Sequence, residues 1–318
     1  MEKVLTPEVD SMVQEYLEKM EWGGLRLNFE ANDFHKGDTE HKKLLARILN
    51  NGTFDKNPRP HYKDGTPAYS ISINGYMMQF NLANNEFPII TLRPIAVKKA
   101  IGEILWIYQD QSNDLDLLKE KYGVTWWDEW EVDNTRTIGQ VYGATVKRHD
   151  LMNNLLRDLK ENPDGRRHIM SLWQDDDFKE PHGLKPCCFM TMWNVRHVGR
   201  ENYLDMTLVQ RSADTCTANA INLVQYCVLL HMVARDCRYT PGIFSYYVQN
   251  AHIYDRQIYK AFELLERESV WCNPKIQINP EIKDFYEITQ DDIQVVNYDL
   301  EKIKAKNPQI DFASDIAI

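Results

Sequence analysis

The chain has 318 residues, enough for one large domain or two small ones with ample surface to bury. Its 43% hydrophobic and 26% charged content is that of a soluble globular protein, and eight Trp and sixteen Tyr supply stacking surface for a planar ligand. A formal charge of −10 argues against the basic face that a general nucleic-acid binder needs, although a local arginine cluster can still hold a small anion.

There is no N-terminal signal pattern and no apolar run of membrane-span length. The six cysteines (187, 188, 216, 227, 237, 272) show no framework spacing. A reduced, cytoplasmic setting is therefore expected, with no membrane and no stable nucleic-acid partner.

Residues 1–52 read as helices with a polar break. Val9–Met20 and Lys42–Leu49 carry apolar residues at helical spacing, and Phe34–Glu40 reads as loop. Asn57–Pro67 is a Pro- and Gly-rich loop holding Arg59, His61 and Lys63, either a solvated turn or a mobile anion-binding loop. Tyr69–Leu82 alternates as a hairpin turning at Asn74-Gly75, and Phe87–Thr91 reads as a short strand. Ala96–Tyr108 is an apolar helix that contains Glu103. A carboxylate there needs a partner if it is buried, yet it also shares a face with Lys99 that solvent could claim.

Val124–Trp130 packs tryptophans at 126, 127 and 130, as core, dimer surface or one wall of a ligand cavity. Gly139 and Gly143 bracket Tyr142 and allow close approach of backbone or ligand. Leu151–Leu159 is an amphipathic helix. Asn162–His168 is a turn carrying Arg166 and Arg167, which either clamp a phosphate through forked donors or are simply solvated. A strand over Ile169–Trp173 follows, and Asp175–Asp177 reads as solvated loop.

From Leu184 to Val195 the chain alternates Phe189, Thr191, Trp193 and Val195 against Met190, Met192 and Asn194, the pattern of a strand. Cys187 follows Pro186 at its mouth. Free cysteines are commonly small buried hydrophobes. What favours a reactive Cys187 is Val209–Asp214, which places Arg211 about one strand away, a cation that favours a thiolate. A zinc site from His182, Cys187 and Cys188 is disfavoured, because adjacent strand residues point to opposite faces.

Strands are expected over Tyr203–Gln210 and Ile243–Val248, the second entered through a turn at Pro241-Gly242. Asn222–Cys237 reads as a long helix buried on most faces, with Asn222 at its start. Ala251–Tyr254 leads into a helix around Gln257–Arg267. Short strands over Lys275–Ile278 and Ile293–Val296 precede an apolar end at Asp315–Ile318. No repeat or linker stands out. The expectation is one α+β domain with a mixed β-sheet and a long buried central helix, residues 1–52 forming a helical extension packed on it.

Several short segments fall in the order of one known family. They are the Gly65-Thr-Pro loop, Glu103-Ile-Leu-Trp106, Trp127-Asp-Glu-Trp130, Val141-Tyr-Gly143, Arg166-Arg167, Pro186-Cys187, Gln210-Arg-Ser-x-Asp214, Asn222, His252-Ile-Tyr254 and a terminal Ala317-Ile318. Together they resemble the folate-dependent thymidylate synthases, from about Asp64 to the C-terminus.

The resemblance implies reductive methylation of dUMP to dTMP, with 5,10-methylenetetrahydrofolate as donor of the one-carbon unit and the hydride, without metal, in an obligate homodimer. Cys187 would add to C6 of the pyrimidine. Arg211 would lower its pKa and, with Ser212, bind the 5′-phosphate. Arg166 and Arg167 would be lent across the dimer interface. One more phosphate cation would come from the 57–67 loop, Arg59 or alternatively Lys63. Asn222 matches the residue facing pyrimidine O4 and N3, where an amide suits uracil and an aspartate would suit cytosine. His252 and Tyr254 would hold the ribose 3′-hydroxyl. Glu103 and Tyr142 would manage proton transfer around C5 through water. Trp127, Trp130 and Asp214 would line the folate site, Asp214 being counted also with the nucleotide contacts. Ala317 and Ile318 would close over it.

Three departures from the family pattern stand out: Cys188 replaces a histidine, Thr217–Ile221 replaces Leu-Gly-x-Pro-Phe, and Gln249-Asn250 replaces Gly-Asp. A pyrimidine hydroxymethylase on the same fold is the first rival. Trp127, at the position that shields the intermediate from water, favours the methylase. A non-catalytic nucleotide- or RNA-binding relative is the second rival, and it would need neither Cys187 nor Glu103.

Overall fold

A computed structural model describes residues 35–179 and 183–317. Its centre is a six-stranded sheet built from β1 (Thr53–Phe54), β2 (Ser70–Asn81), β3 (Ile169–Ser171), β4 (Cys188–Val198), β5 (Glu201–Asp214) and β6 (Thr240–Tyr254), in the order β1-β2-β6-β5-β4-β3. All neighbours are antiparallel except β5 and β6. A parallel pair needs a long crossover, and here it is the helix Ala218–Cys237.

The helices are α1 (Lys36–Asn51), α2 (Val97–Tyr108), α3 (Leu115–Tyr122), α4 (Gly143–Arg148), α5 (Leu151–Glu161), α6 (Ala218–Cys237), α7 (Ile258–Glu266) and α8 (Leu300–Lys306). α6 carries apolar residues nearly all round, so it is buried against α2 on one side and β5 and β6 on the other. β7 (Lys275–Ile278) and β8 (Ile293–Val296) pair as a small antiparallel sheet, as their sequence pattern predicts.

Side-chain alternation assigns the two faces of the large sheet. Thr191, Trp193 and Val195 of β4 are buried toward the helices, and Met192 and Asn194 are exposed on the opposite face. That second face also exposes Ile169, which pairs with Met192, and Met77 and Val198.

Local signals were overridden where long-range pairing was available. Asn74-Gly75 makes no hairpin turn: β2 runs straight through it, paired with β6 from Ser70 to Asn81. Gly75 absorbs the conflict with φ +73°. Pro241-Gly242 likewise lies inside β6. Pairing of β2 stops at Asn81 opposite Ile243, so Pro241 faces only β5 and its missing N–H breaks no ladder bond to β2. Gly242 packs where a Cβ would sit 2.1 Å from Asp205 Oδ1.

Phe87–Thr91 joins no sheet. Ile89 and Ile90 are fully buried, and Thr91 is held from outside: its N–H and hydroxyl donate to Asp38 at 2.6 and 2.5 Å. Asp38 belongs to the first turn of α1, which begins at Lys36 rather than after a loop to Glu40. Asn222 is not at the start of its helix but in the second turn of α6, whose preceding residue is Thr217. The helix expected over Val9–Met20 lies outside the described residues.

Candidate active site

Cys187 sits one residue ahead of β4, and its carbonyl accepts the Arg211 N–H of β5 at 2.9 Å. The Arg211 guanidinium folds back along the same segment, donating to the Pro186 and Lys185 carbonyls at 3.0 and 2.6 Å. The cation is thereby fixed against the thiol. Burial nevertheless raises the Cys187 pKa, and the charges of Arg211 first and Arg59 second oppose the rise without cancelling it. The expected lowering by Arg211 is thus present but outweighed. Lys63 is engaged elsewhere, paired with Glu129 at 2.7 Å.

The Cys187 N–H donates to the Tyr142 hydroxyl at 2.9 Å. Tyr142 reaches that position from a strained backbone, φ 49° and ψ −113°. The next residue, Gly143, passes so close to Ser112 that a Cβ would lie 2.1 Å from its carbonyl oxygen. The buried Trp127 ring stands edge-on to Tyr142 at 5.2 Å and to Trp130 at 5.7 Å, making a continuous aromatic wall. Trp127 Nε1 is buried with no closed hydrogen bond among the described residues, near enough to the Glu103 carboxylate to favour its ionised form.

Glu103 of α2 is only 6% exposed, not on a solvent stripe. Burial raises its pKa to about 6, opposed by N–H groups of Trp126, Gln225 and Trp127. The Trp126 indole N–H donates to its carboxylate, and the Lys99 ammonium lies over the Trp126 ring at 5.9 Å.

Asn222 is half-buried and hydrogen-bonded to Gln210 and Gln225. His252 of β6 meets Asn250 Oδ1 through Nδ1 at 2.9 Å, with the Tyr254 ring 4.8 Å away. Burial lowers the His252 pKa, with Asp214 opposing, so the ring is neutral at pH 7; its Nε2 is a buried atom without partner among the described residues. Ser212, on β5, pairs with Asn250 of β6 in the sheet register. The Asp214 carboxylate is turned to structure: Oδ1 accepts the N–H groups of Cys216 and Thr217 at 3.1 and 3.2 Å, and Oδ2 accepts Gln257 at 2.8 Å. It fixes the turn that launches α6.

Arg166 and Arg167 are exposed on the turn before β3, lining a separate cleft of about 560 Å³ with Asp158 and Asn162. Ala317 pairs with Tyr62 of the 57–67 loop, while Ile318 lies outside the described residues. Arg256 clamps that loop, its guanidinium 3.9 Å from the Tyr62 ring, bonded to Asp64 and Thr66 at 2.7 and 2.8 Å and to the Ser314 carbonyl at 3.3 Å. Among the described residues no group of His, Cys, Asp or Glu side chains could hold a metal ion. His182, weighed as a ligand, lies outside them.

The sequence profile described as thymidylate synthase matches residues 39–308. The thymidylate synthases of Streptococcus gordonii and of Streptococcus pneumoniae strain 70585 are each 48% identical to the chain over 284 residues, covering 89% of it and 99% of the relative. The solved thermostable thymidylate synthase A from Bacillus subtilis matches with a TM-score of 0.78 at 34% identity, covering 89% of this chain and 99% of that one.

The chain belongs to the thymidylate synthase family.

The family match begins at residue 39, inside α1 and well before Asp64. The Asp38–Thr91 bond anchors α1 to the segment that leads into α2 and hence Glu103. The departures from the family pattern also find a physical setting. Cys188 is buried, and its thiol donates to Gln210 Oε1 at 3.2 Å. Asn250 supplies the partner of His252. Thr217 hands its carbonyl to Arg93 at 2.7 Å.

The sequence alone assigned no role to Gln225 or Arg256 and did not say what Trp126 and Gln210 meet. Adjacent tryptophans gave no sign which of them meets Glu103, Gln225 meets Asn222 one helical turn away, and Gln210 and Arg256 act through residues farther along the chain.

Proposed function

We propose that the chain methylates dUMP to dTMP, with methylenetetrahydrofolate as co-substrate and Cys187 as nucleophile. The observation that carries this reading is the convergence on Cys187. The charges of Arg211 and Arg59 act on its thiol, its backbone N–H is held by the Tyr142 hydroxyl, and Tyr142 also feels the buried Glu103 carboxyl of pKa about 6.

Arg211, Ser212 and Arg59 bind the nucleotide phosphate, and His252 and Tyr254 the 3′-hydroxyl. The His252 Nε2 suits this, being a neutral, buried atom short of a partner. Cys187 loses its proton and forms the S–C6 bond, the C5–C6 π pair moving toward O4, so that C5 becomes the nucleophile. The folate supplies the one-carbon unit and the hydride. Glu103, with a pKa near the working pH, moves the C5 proton through water, Tyr142 holding the nucleophile's backbone in place. Cys187 leaves as C5–C6 unsaturation is restored. Trp127 and Trp130 form the apolar wall against which a pterin stacks, Asp214 holds the turn that launches α6, and the tail closes the site from Ala317, which pairs with Tyr62.

The exposed sheet face with Ile169, Met192, Met77 and Val198 supports a homodimer. Arg166 and Arg167 precede β3 at the edge of that sheet, so a second copy seated there takes them as phosphate ligands. Mixing Arg166→Ala with Cys187→Ser subunits then regains activity, and no rescue would count against a shared site. The six cysteines are all free, which supports a reducing, cytoplasmic setting. No described helix is long and apolar enough to cross a membrane.

The deciding experiment follows absorbance at 340 nm with purified protein, dUMP and methylenetetrahydrofolate. The expected result is a dUMP-dependent rise, absent with dCMP and in Cys187→Ala. A hydroxymethyl product without dihydrofolate would sink the methylase reading.

A further inference from the structure

Three carboxamides stand in line below the site. Gln210 is on the core face of β5, and Asn222 and Gln225 are one turn apart on α6. Gln210 Nε2 donates to the Ser212 carbonyl at 2.9 Å and to Asn222 Oδ1 at 3.3 Å, and Asn222 Nδ2 donates to Gln225 Oε1 at 2.9 Å. Gln210 and Gln225 are 1% and 2% exposed.

An amide has two ends of similar shape and opposite hydrogen-bonding sense, so its orientation is set by its partners. Here the orientation is set from both ends of the row. At the sheet end, Gln210 Oε1 accepts from the Tyr246 hydroxyl at 3.0 Å and the Cys188 thiol at 3.2 Å, which turns its NH₂ toward Asn222. At the helix end, Gln225 Nε2 is a buried donor with no closed hydrogen bond among the described residues, lying near enough to the Glu103 carboxylate to favour its ionised form. A carboxylate only accepts, so Gln225 must turn its NH₂ that way and its Oε1 to Asn222. Asn222 is then left one orientation, with Oδ1 toward Gln210 and Nδ2 toward Gln225. A flipped Asn222 would set oxygen against oxygen at Gln225 and nitrogen against nitrogen at Gln210.

We propose that Gln225 is a positioning residue that locks the Asn222 carboxamide so that the site selects a 4-oxo pyrimidine over a 4-amino one. Locked this way, Asn222 keeps one N–H for the O4 acceptor and one lone pair for the N3–H donor. A 4-amino pyrimidine, with N3 an acceptor, needs the flipped amide, which Gln225 opposes. The proposal rests on the reading that Asn222 faces the pyrimidine edge. It adds that the selectivity is enforced from underneath, by a residue that does not touch the nucleotide.

The test measures Kd for dUMP and dCMP by calorimetry, with melting temperature and turnover, in wild type, Gln225→Met and Gln225→Glu. Gln225→Met keeps the length and bulk but cannot accept from Asn222. The expected result is a fall of about 10-fold in the dUMP-over-dCMP preference. Gln225→Glu keeps the acceptor, so it retains the wild-type preference while losing turnover, because a second carboxyl now crowds Glu103. A merely structural role would move melting temperature and both affinities together. Gln225→Met with wild-type preference overturns the proposal, as does Gln225→Glu with the preference lost, and the second arm decides if Gln225→Met does not fold. Failure of the underlying reading looks different: wild type itself would bind the two nucleotides equally, or Asn222→Asp would not swing preference to dCMP.

Discussion

The hydroxyl of Tyr142 takes the backbone N–H of Cys187 at 2.9 Å, so the main chain of the proposed nucleophile is tied to a residue 45 positions earlier. In the proposed mechanism that contact fixes where the thiol starts its attack. It is reached only because Tyr142 holds φ 49° beside a glycine pressed against Ser112. Tyr142→Phe leaves the Cys187 N–H unsatisfied at a cost of about 1–3 kcal/mol. The expected outcome is a fall in kcat of about 10-fold or more with dUMP affinity changed less. Single-turnover kinetics beside nucleotide titration checks it, and an unchanged kcat refutes it.

Glu103 makes a pH signature. Its pKa is about 6 in the fold against an ordinary 4.5, so between those values the folded chain keeps a proton that the unfolded chain has released. The fold binds more protons, and stability therefore falls as pH rises from about 4.5 through about 6. Its contribution to the loss is about 2 kcal/mol. Glu103→Gln removes that slope. Urea midpoints across pH 4–7 for the two proteins read the difference, and parallel curves would count against it.

Arg59 and Lys63 separate cleanly. Arg59 acts on the Cys187 thiol, whereas Lys63 is occupied by Glu129 on an exposed surface. Arg59→Ala should raise the KM for dUMP about 10-fold, the loss of a charged hydrogen bond, while Lys63→Ala leaves it unchanged. Arg59→Ala also removes a charge that favours the thiolate, so alkylation of Cys187 by iodoacetamide moves to higher pH. An unshifted alkylation profile places Arg59 elsewhere.

Asp38 anchors α1 to the segment before α2. It is fully buried, and burial raises its pKa even though Thr91 donates to it from both backbone and hydroxyl. Asp38→Ala orphans the Thr91 N–H and hydroxyl, and should destabilise the fold by about 3 kcal/mol or more. Chemical denaturation measures it. A change within about 0.5 kcal/mol would mean that the pair contributes little.

The sequence disclosed what repeats locally. The buried-exposed alternation of β4, the apolar helix around Glu103, the run of α6 and the strands at 275–278 and 293–296 are all where periodicity put them. Asn74-Gly75 and Pro241-Gly242 misled because they are strong turn signals whose outcome is decided by partners far along the chain: β6 pairs with β2 through the first and with β5 at the second. Asp38 could not be read as buried, since its partner Thr91 is 53 residues away. For the site, the candidate residues came from the resemblance to a family. Their partners did not. Nothing in the local sequence around Trp126 or Arg256 says which distant carboxylate or loop each one serves, and the i, i+3 spacing of Asn222 and Gln225 does not say that the two amides bond.

Arg256 grips the 57–67 loop and the Ser314 carbonyl together, while Ala317 pairs with Tyr62 of the same loop. The loop and the tail are therefore buckled to each other. Clipping the tail with a carboxypeptidase would slacken the loop that carries Arg59, so, under the proposed roles, damage at the folate mouth would register first as a looser grip on the nucleotide's phosphate.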